Sequence, residues 1–463
     1  MENRKLKPET QKQPIVVDLE TSLLRPGYFW EGLWALIRKD PLLSFKIPFL
    51  FFSKKLSAKV GRILNSEHVV LPIDQEVLDV IRQKKRQGYD VILKHERHSK
   101  IAQKLQYKTG CFSDIVSRIP ESLKKHGYTY LTTKTMDPTL WQEAHNAIFM
   151  KDHKSALTPP QGEKEIEYLE LSSKSVFFSA LKSLRIHQWA KSTLLFLPLL
   201  LTHNLTDISL WLLGFQGFVA FCLVSSAAYV INDLFDLESD RNHKINQSRP
   251  FAAGDVPIFV GFFLYFLLLS SGLISSYLMS KEVFSVLSVY VILGHLYTFF
   301  LKKIPVVDTI LLSSFYVLRI FMGAIVLGLT LSPWVYLMGF SFFFSLANLK
   351  RVCELKMKKD SDAFSRRGYL KKDTMVLTAF GVSSAFSTAF FFPLFLYFNS
   401  LEKNPLLWGI GLIMVYWFCY MWLITLREAM SADPVKFALK DATSHACLYS
   451  ALLIWFFSGY FGS

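Results

Sequence analysis

The 463-residue chain is 51% apolar, contains 41 phenylalanines and has a mean hydropathy of +0.28, yet its formal charge is +15. This is too apolar for an ordinary water-soluble enzyme, and the charge points to anionic partners, the bilayer surface and phosphorylated substrates. No recognition motif accompanies the charge, so nucleic acid is not an expected partner.

The opening MENRKLKPETQKQP is polar and lacks the apolar core of a signal peptide. Whatever precedes the first membrane span is therefore expected in the cytoplasm. Residues 1–165 read as a soluble domain. A β-branched strand covers 14–19, an amphipathic helix 74–87, a strand 89–94, a helix 99–106 and a strand 128–131. Strands alternating with helices predict a parallel α/β sheet. The apolar run 41–53 is short of the roughly 20 residues that a span needs, and it reads as a helical cap near the membrane surface. The scattered Cys111, Cys222, Cys353, Cys419 and Cys447 form no CxxC pair, which argues against a disulfide framework or a zinc site.

From Leu181 the chain changes character. Nine candidate spans lie near 190–204, 209–231, 256–278, 283–301, 305–328, 332–349, 374–398, 405–426 and 443–461. The basic residues between them fall on one side. Arg241, Lys244, Arg249, Lys302, Lys303, the run from Lys350 to Lys372, Arg427, Lys436 and Lys440 oppose only Lys281 and Lys403. The positive-inside rule makes the basic side cytoplasmic and, with an odd number of spans, leaves the C-terminus outside. The predicted architecture is an all-α membrane bundle over 180–463 behind the soluble α/β domain.

Residues 231–254, INDLFDLESDRNHKINQSRPFAAG, end an apolar run long enough to span. If 229–241 continue that run as one helix, Asn232, Asp233, Asp236 and Asp240 share a face. Carboxylates packed this closely at a membrane boundary repel one another and are costly to desolvate. A divalent cation removes both penalties, and hard oxygen ligands suit Mg²⁺, particularly when substrate phosphates complete its shell. A solvated, acid-rich helix end is the bland alternative.

Other polar residues gather on the same side. Arg185, His187, Trp189 and Lys191 precede the first span, a pattern that positive-inside anchoring alone would also explain. Tyr297, Lys302, Lys303 and Asp308 bracket the fifth span's start, and Arg319 lies deeper in it. An unpaired arginine there is expensive and is expected to face the interior and find an acid or a phosphate. Asn348, Lys350, Arg351 and Glu354 end the sixth span, followed by Arg366, Arg367 and Tyr369.

The spacing Asn232-Asp233-x-x-Asp236-x-x-x-Asp240-Arg241, followed by Arg249-Pro-x-Ala-x-Gly254, resembles the first aspartate-rich motif of the UbiA superfamily of intramembrane prenyltransferases. Within it the chain is most similar to the polyprenyl-phosphate phosphoribosyltransferase branch. That narrower likeness rests on Arg185, His187, Trp189, Lys191, Tyr297, Lys302, Pro305, Asp308, Arg319, Gly323, Ser332, Trp334, Lys350, Arg351 and Glu354. The branch has Asn where this chain has Ser192, and His-Pro-x-Lys where it has His243-Lys-Ile-Asn246. The second acidic motif of the aromatic-acceptor enzymes is replaced by Lys350-Arg351-x-x-Glu354.

The resemblance implies an enzyme of a bacterial inner membrane, with a cytoplasmic active site, serving cell-envelope synthesis. Asp233, Asp236 and Asp240 would hold Mg²⁺ and the diphosphate of phosphoribosyl diphosphate. Asn232, Lys191, Arg241, Arg249, Tyr297, Lys302, Asp308, Arg319, Lys350, Arg351 and Glu354 would contact substrate, and a phosphate oxygen of a polyprenyl phosphate would attack the ribose C1. The rival within the family is transfer from a prenyl diphosphate to an aromatic acceptor. A transporter or membrane scaffold is the non-enzymatic rival, and it predicts internal repeats or half-helices near the midplane.

The segment Val17-Asp18-Leu-Glu20-Thr-Ser is similar to the opening motif of haloacid dehalogenase-like phosphatases. The likeness implies Asp18 as nucleophile, Glu20 in place of the second aspartate, Lys124 or Lys125 as the lysine and Asp137 as the remaining acid. No hydroxyl follows the second strand at Lys94-His95-Glu96, and the usual Gly-Asp before Asp137 is missing. The expectation is a degenerate domain with a structural or regulatory role.

Overall fold

The computed structural model describes residues 12–25, 27–40, 54–64, 71–96, 98–133, 137–152, 164–171, 175–202, 204–242, 246–357, 367–399, 401, 404–430 and 433–461. The expected cap over 41–53, with His243, Lys244 and Arg366, lies outside them. The chain divides into two compact units, Met1–Leu184 with Tyr229–Tyr265, and Arg185–Ala228 with Phe266–Ser463.

In the first unit, β1 (Ile15–Asp18) leads through a π-helical turn, Leu19–Leu23, to α1 (Tyr28–Lys39), α2 (Lys54–Leu64) and α3 (Gln75–Arg86). Asp74 caps α3, accepting from the backbone N–H groups of Glu76 and Val77. Then follow β2 (Val91–Lys94), α4 (Ser99–Thr109), β3 (Asp114–Val116), α5 (Glu121–His126), β4 (Thr129–Thr132), α6 (Pro138–Glu143), β5 (Asn146–Asp152), β6 (Ile166–Leu171) and α7 (Val176–Ser183). The six strands pair in parallel in the order β3-β2-β1-β4-β5-β6. Because strand side chains alternate in direction, Ile15 and Val17 join one apolar cluster with Leu93 and Leu131, while Val16 joins another with Ile92, Tyr128 and Tyr130. Both faces are covered, and this explains why the strands read as unbroken apolar runs. Strands β3, β5 and β6 were not expected, and β6 carries the sheet past the boundary set at 165.

The helices continue with α8 (Leu197–Leu201), α9 (Ile208–Phe235), α10 (Leu237–Arg241), α11 (Ile258–Met279), α12 (Lys281–Phe299), α13 (Val307–Leu327), α14 (Pro333–Lys356), α15 (Thr374–Phe398), α16 (Pro405–Leu426), α17 (Pro434–Ala438) and α18 (Ala442–Phe461). Among the described residues six helices are long and apolar enough to cross a membrane: α9, α11, α12, α13, α15 with the turn before it, and α16. The other three of the nine expected spans are not among these six. Residues 190–204 form a 3-10 helix, Ile186–Phe196, and the five-residue α8, with Pro198 near the join. The expected 332–349 lies in α14, which has the length; within it Ser341, Ser345 and Asn348 lower the apolar character. The described apolar part of α18 is Ala442–Ser458.

Several indole groups inside the second unit donate to internal oxygens. Trp422 Nε1 donates to Ser345 Oγ at 3.0 Å, and Trp455 Nε1 donates to the Leu200 carbonyl at 3.1 Å. In a bilayer such groups have no water to turn to.

Candidate active site

Helix α9 ends at Phe235, and Asp236 takes the cap position of α10 with φ −88° and ψ 4°. The bonding bridges the joint: Asp236 N donates to the Asn232 carbonyl at 2.9 Å, and Asp240 N to the Asp236 carbonyl at 2.8 Å. The single helix expected over 229–241 is thus two helices hinged at Asp236. Asp233 and Asp240 are 2% and 1% exposed, and they meet at one cation. Arg249 Nη1 donates to Asp240 Oδ2 at 2.6 Å and to Asp233 Oδ1 at 3.5 Å. Asn246 Nδ2 donates to the other oxygen of Asp240 at 3.0 Å. Asn246 stands at the position where the resembled branch carries lysine, so an amide makes the hydrogen bond without the charge.

Arg241, expected among the phosphate ligands, is otherwise engaged. Its Nη2 and Nη1 donate to Glu31 Oε1 and Oε2 at 2.7 and 3.0 Å, and its Nε donates to the Ala252 carbonyl at 3.0 Å. The charge is taken up by a carboxylate 210 residues away. Asn232 and Asp236 are half-buried.

The fit to a divalent ion rests on the Arg249 guanidinium, which acts as a stand-in cation between two buried carboxylates. The donors are hard oxygens of the kind Mg²⁺ takes. Among the described residues no three His, Cys, Asp or Glu side chains lie close enough to share one ion. Two carboxylates with substrate phosphate oxygens and water is the donor set that remains.

In the second unit a separate ionic cluster is built around Asp308, which is fully buried. Arg351 donates to it through Nε at 2.5 Å and Nη2 at 3.2 Å, Arg367 Nη1 at 2.5 Å and Tyr297 OH at 2.8 Å. Arg351 Nη1 also reaches Glu354 Oε2 at 2.6 Å, and Lys350 Nζ lies 3.9 Å from Asp433. Tyr297, Asp308, Arg351 and Glu354 were expected in the site and are brought together. Arg367 was noted in the sequence but not placed with them. Lys302 and Lys191 are half-buried on 3-10 segments.

Arg319 faces the interior, as expected, and lies among aromatic rings: its guanidinium carbon is 4.9, 5.4 and 5.5 Å from the ring centres of Phe221, Tyr290 and Tyr316. It also donates to the Phe315 carbonyl and the Tyr290 hydroxyl, at 2.5 and 3.2 Å. The ring quadrupoles attract the cation.

A third cluster sits at the carboxyl ends of β1, β2 and β4, where the strand order reverses, the usual ligand position of open parallel sheets. Lys94 Nζ lies 3.2 Å from Asp18 Oδ2 and 2.6 Å from Asp137 Oδ2. Asp18 also accepts from Thr21 N at 2.9 Å, and Glu20 Oε1 accepts from Glu96 N at 3.1 Å. The lysine that meets these acids is Lys94; of the expected Lys124 and Lys125, Lys124 pairs with Glu143. Register carries the missed signal, because Asp18 and Lys94 are paired neighbours across β1 and β2.

Residues 192–456 match the UbiA prenyltransferase family. The chain is 30% identical over 458 residues to "Uncharacterized protein y4nM" of Sinorhizobium fredii, covering 94% of this chain and 89% of that one. It is 32% identical over 201 residues to the decaprenyl-phosphate phosphoribosyltransferase of Mycolicibacterium smegmatis, covering 42% of this chain and 62% of that one. A UbiA homologue from Archaeoglobus fulgidus, solved with GPP and Mg²⁺, aligns at 16% identity with a TM-score of 0.44, covering 60% of this chain and 99% of that chain. With six apolar helices of spanning length and a matched stretch that includes Asp233, Asp236 and Asp240, the chain is an integral membrane transferase of the UbiA prenyltransferase family.

Proposed function

We propose that the protein transfers a 5-phosphoribosyl group from phosphoribosyl diphosphate to a polyprenyl phosphate, with Mg²⁺ at the aspartate motif. The observation that carries the reading is the meeting of buried Asp233 and Asp240 at a single cation, Arg249. The donor assignment draws support from the name of the mycobacterial relative and from Lys350-Arg351-x-x-Glu354, a basic pattern suited to a phosphate-rich donor.

Asp233 and Asp240 would hold the ion, which when bound withdraws charge from the leaving diphosphate. Arg249 would grip a phosphate oxygen, since a guanidinium suits phosphate as well as carboxylate. In the second unit Arg351 and Arg367, held by Asp308 and Tyr297, make with Lys302 and Lys350 a basic set suited to phosphate oxygens. The basic loops support a cytoplasmic face for this chemistry and placement in a bacterial inner membrane.

We also infer that the N-terminal sheet domain is haloacid dehalogenase-like and degenerate, because no hydroxyl follows β2 and the Gly-Asp before Asp137 is missing. The full chain should then show no Mg²⁺-dependent phosphatase turnover above that of Asp18→Asn.

Membranes containing the protein, incubated with labelled phosphoribosyl diphosphate or a labelled prenyl diphosphate, test the reading. Label entering a polyprenyl-phosphate lipid from the first donor is expected. Label joined to an aromatic acceptor from the second establishes the rival activity.

A further inference from the structure

Helix α1 lies outside the residues that match the family, yet its side chains hold the joint of the aspartate motif. Trp34 Nε1 donates to the Leu234 carbonyl at 2.8 Å, and Arg38 Nη1 to the Phe235 carbonyl at 3.2 Å. These are carbonyls of the last turn of α9, which the helix itself leaves without partners. The Trp34 ring meets Phe235 and Phe262 edge-on at 4.8 and 4.9 Å between centroids, and Arg38 Nη2 pairs with Glu238 at 2.5 Å. Glu31 then takes Arg241 through both of its carboxylate oxygens.

Arg241 directly follows Asp240. Glu31 and Arg241 have side chains only 11% and 6% exposed, so water does little to screen the cation from its neighbours. Released from Glu31, a second guanidinium would stand beside a pair of aspartates that already hold Arg249. Two internal cations would then compete with a divalent ion for the same oxygens.

We propose that Glu31 is a positioning residue of the transferase, holding the Arg241 cation away from Asp233 and Asp240 so that they remain available to a divalent ion. The inference rests on the metal reading of the aspartate motif given above. It makes the N-terminal segment a working part of the transferase rather than an appended domain.

The test measures Mn²⁺ binding to the purified full chain by electron paramagnetic resonance, with inorganic pyrophosphate as the phosphate probe. Glu31→Gln should weaken Mn²⁺ binding about 10- to 100-fold, the range typical of residues that support metal ligands. Glu31→Asp, which keeps the charge, should regain most of it. The double variant Glu31→Gln/Arg241→Met should also regain binding, because the competing cation is gone. A tie that is merely structural predicts the opposite, binding as weak in the double variant as in Glu31→Gln. That result, or unchanged binding in Glu31→Gln, overturns the proposal. Failure of the unsubstituted chain to bind Mn²⁺ with pyrophosphate overturns the metal reading itself, and this inference with it.

Discussion

Arg249 Nη1 lies 2.6 Å from Asp240 Oδ2 and 3.5 Å from Asp233 Oδ1, so one guanidinium serves two almost fully buried carboxylates. Asp240→Asn halves the charge of that pair and should lower transfer by about a hundredfold or more, the scale of losing a preorganised electrostatic contact. Labelled-donor transfer in membranes of matched expression measures it. Activity within a few-fold of the unsubstituted protein would remove Asp240 from the site.

Asn246 supplies the second hydrogen bond to Asp240, at 3.0 Å. An ammonium at that position can donate to the same oxygen, whereas a carboxylate repels it. Asn246→Lys should keep activity and Asn246→Asp should lose at least about tenfold, a like-charge cost above roughly 1.4 kcal/mol. Initial rates at saturating donor distinguish the two, and equal rates would count against the contact.

The Asp308–Arg351 pair has side chains 0% and 2% exposed. Arg351→Met leaves buried Asp308 to Arg367 and Tyr297 with one charged donor fewer, so it should cost about 1.5–3 kcal/mol. Asp308→Asn/Arg351→Met should cost less than the sum of the single changes, because contacting residues are not additive. Melting of the detergent-solubilised protein reads both, and strict additivity would argue that the pair is uncoupled.

Lys94 and Asp137 give a pH signature outside the membrane. Burial opposes the charge on each, but their pairing outweighs it, raising Lys94 above its ordinary 10.5 and lowering Asp137 below its ordinary 3.8. The raised lysine contributes stability that is complete below 10.5 and lost as pH rises through its folded value. The depressed aspartate contributes stability that is present above 3.8 and lost as pH falls through its folded value. On acidification below 3.8 the melting temperature of the first unit should therefore fall more steeply than that of Lys94→Met. Parallel curves for the two proteins would show that the pair contributes nothing at acid pH.

A Cβ at Gly323 would collide with the backbone carbonyl of Leu195, on the 3-10 segment packed against α13. Backbone cannot give way as a side-chain tip can, so Gly323→Ala should destabilise by about 1–3 kcal/mol. A thermal melt in detergent checks this, and an unchanged midpoint would mean that the two segments are not in close contact.

Much of the architecture was legible because it follows from local pattern. Apolar run length marked α9, α11, α12, α13, α15 and α16, and the β-branched runs at 15–18 and 91–94 marked two strands of the sheet. The weak points were segments whose structure is set by neighbours. Residues 190–204 were expected as a span and form a 3-10 helix with a short α-helix, because apolar composition does not specify which hydrogen-bond ladder a segment adopts. Strands β3, β5 and β6 were missed because short strands draw their stability from the strands beside them.

The candidate site divides in the same way. Asp233, Asp236 and Asp240 announce themselves by spacing, since helical periodicity puts offsets of three and four on one face. By itself the sequence determined the apolar helices, the parallel α/β character of the N-terminal region and the aspartate motif. Which cation serves which acid was decided only by the tertiary structure. Arg249 goes to Asp233 and Asp240, Arg241 to Glu31 on a distant helix, Lys94 to Asp18 and Asp137, and Arg319 to three aromatic rings. An arginine or lysine has several acids within reach of its long side chain. Burial and the packing of distant segments select the partner, and neither is encoded in local spacing.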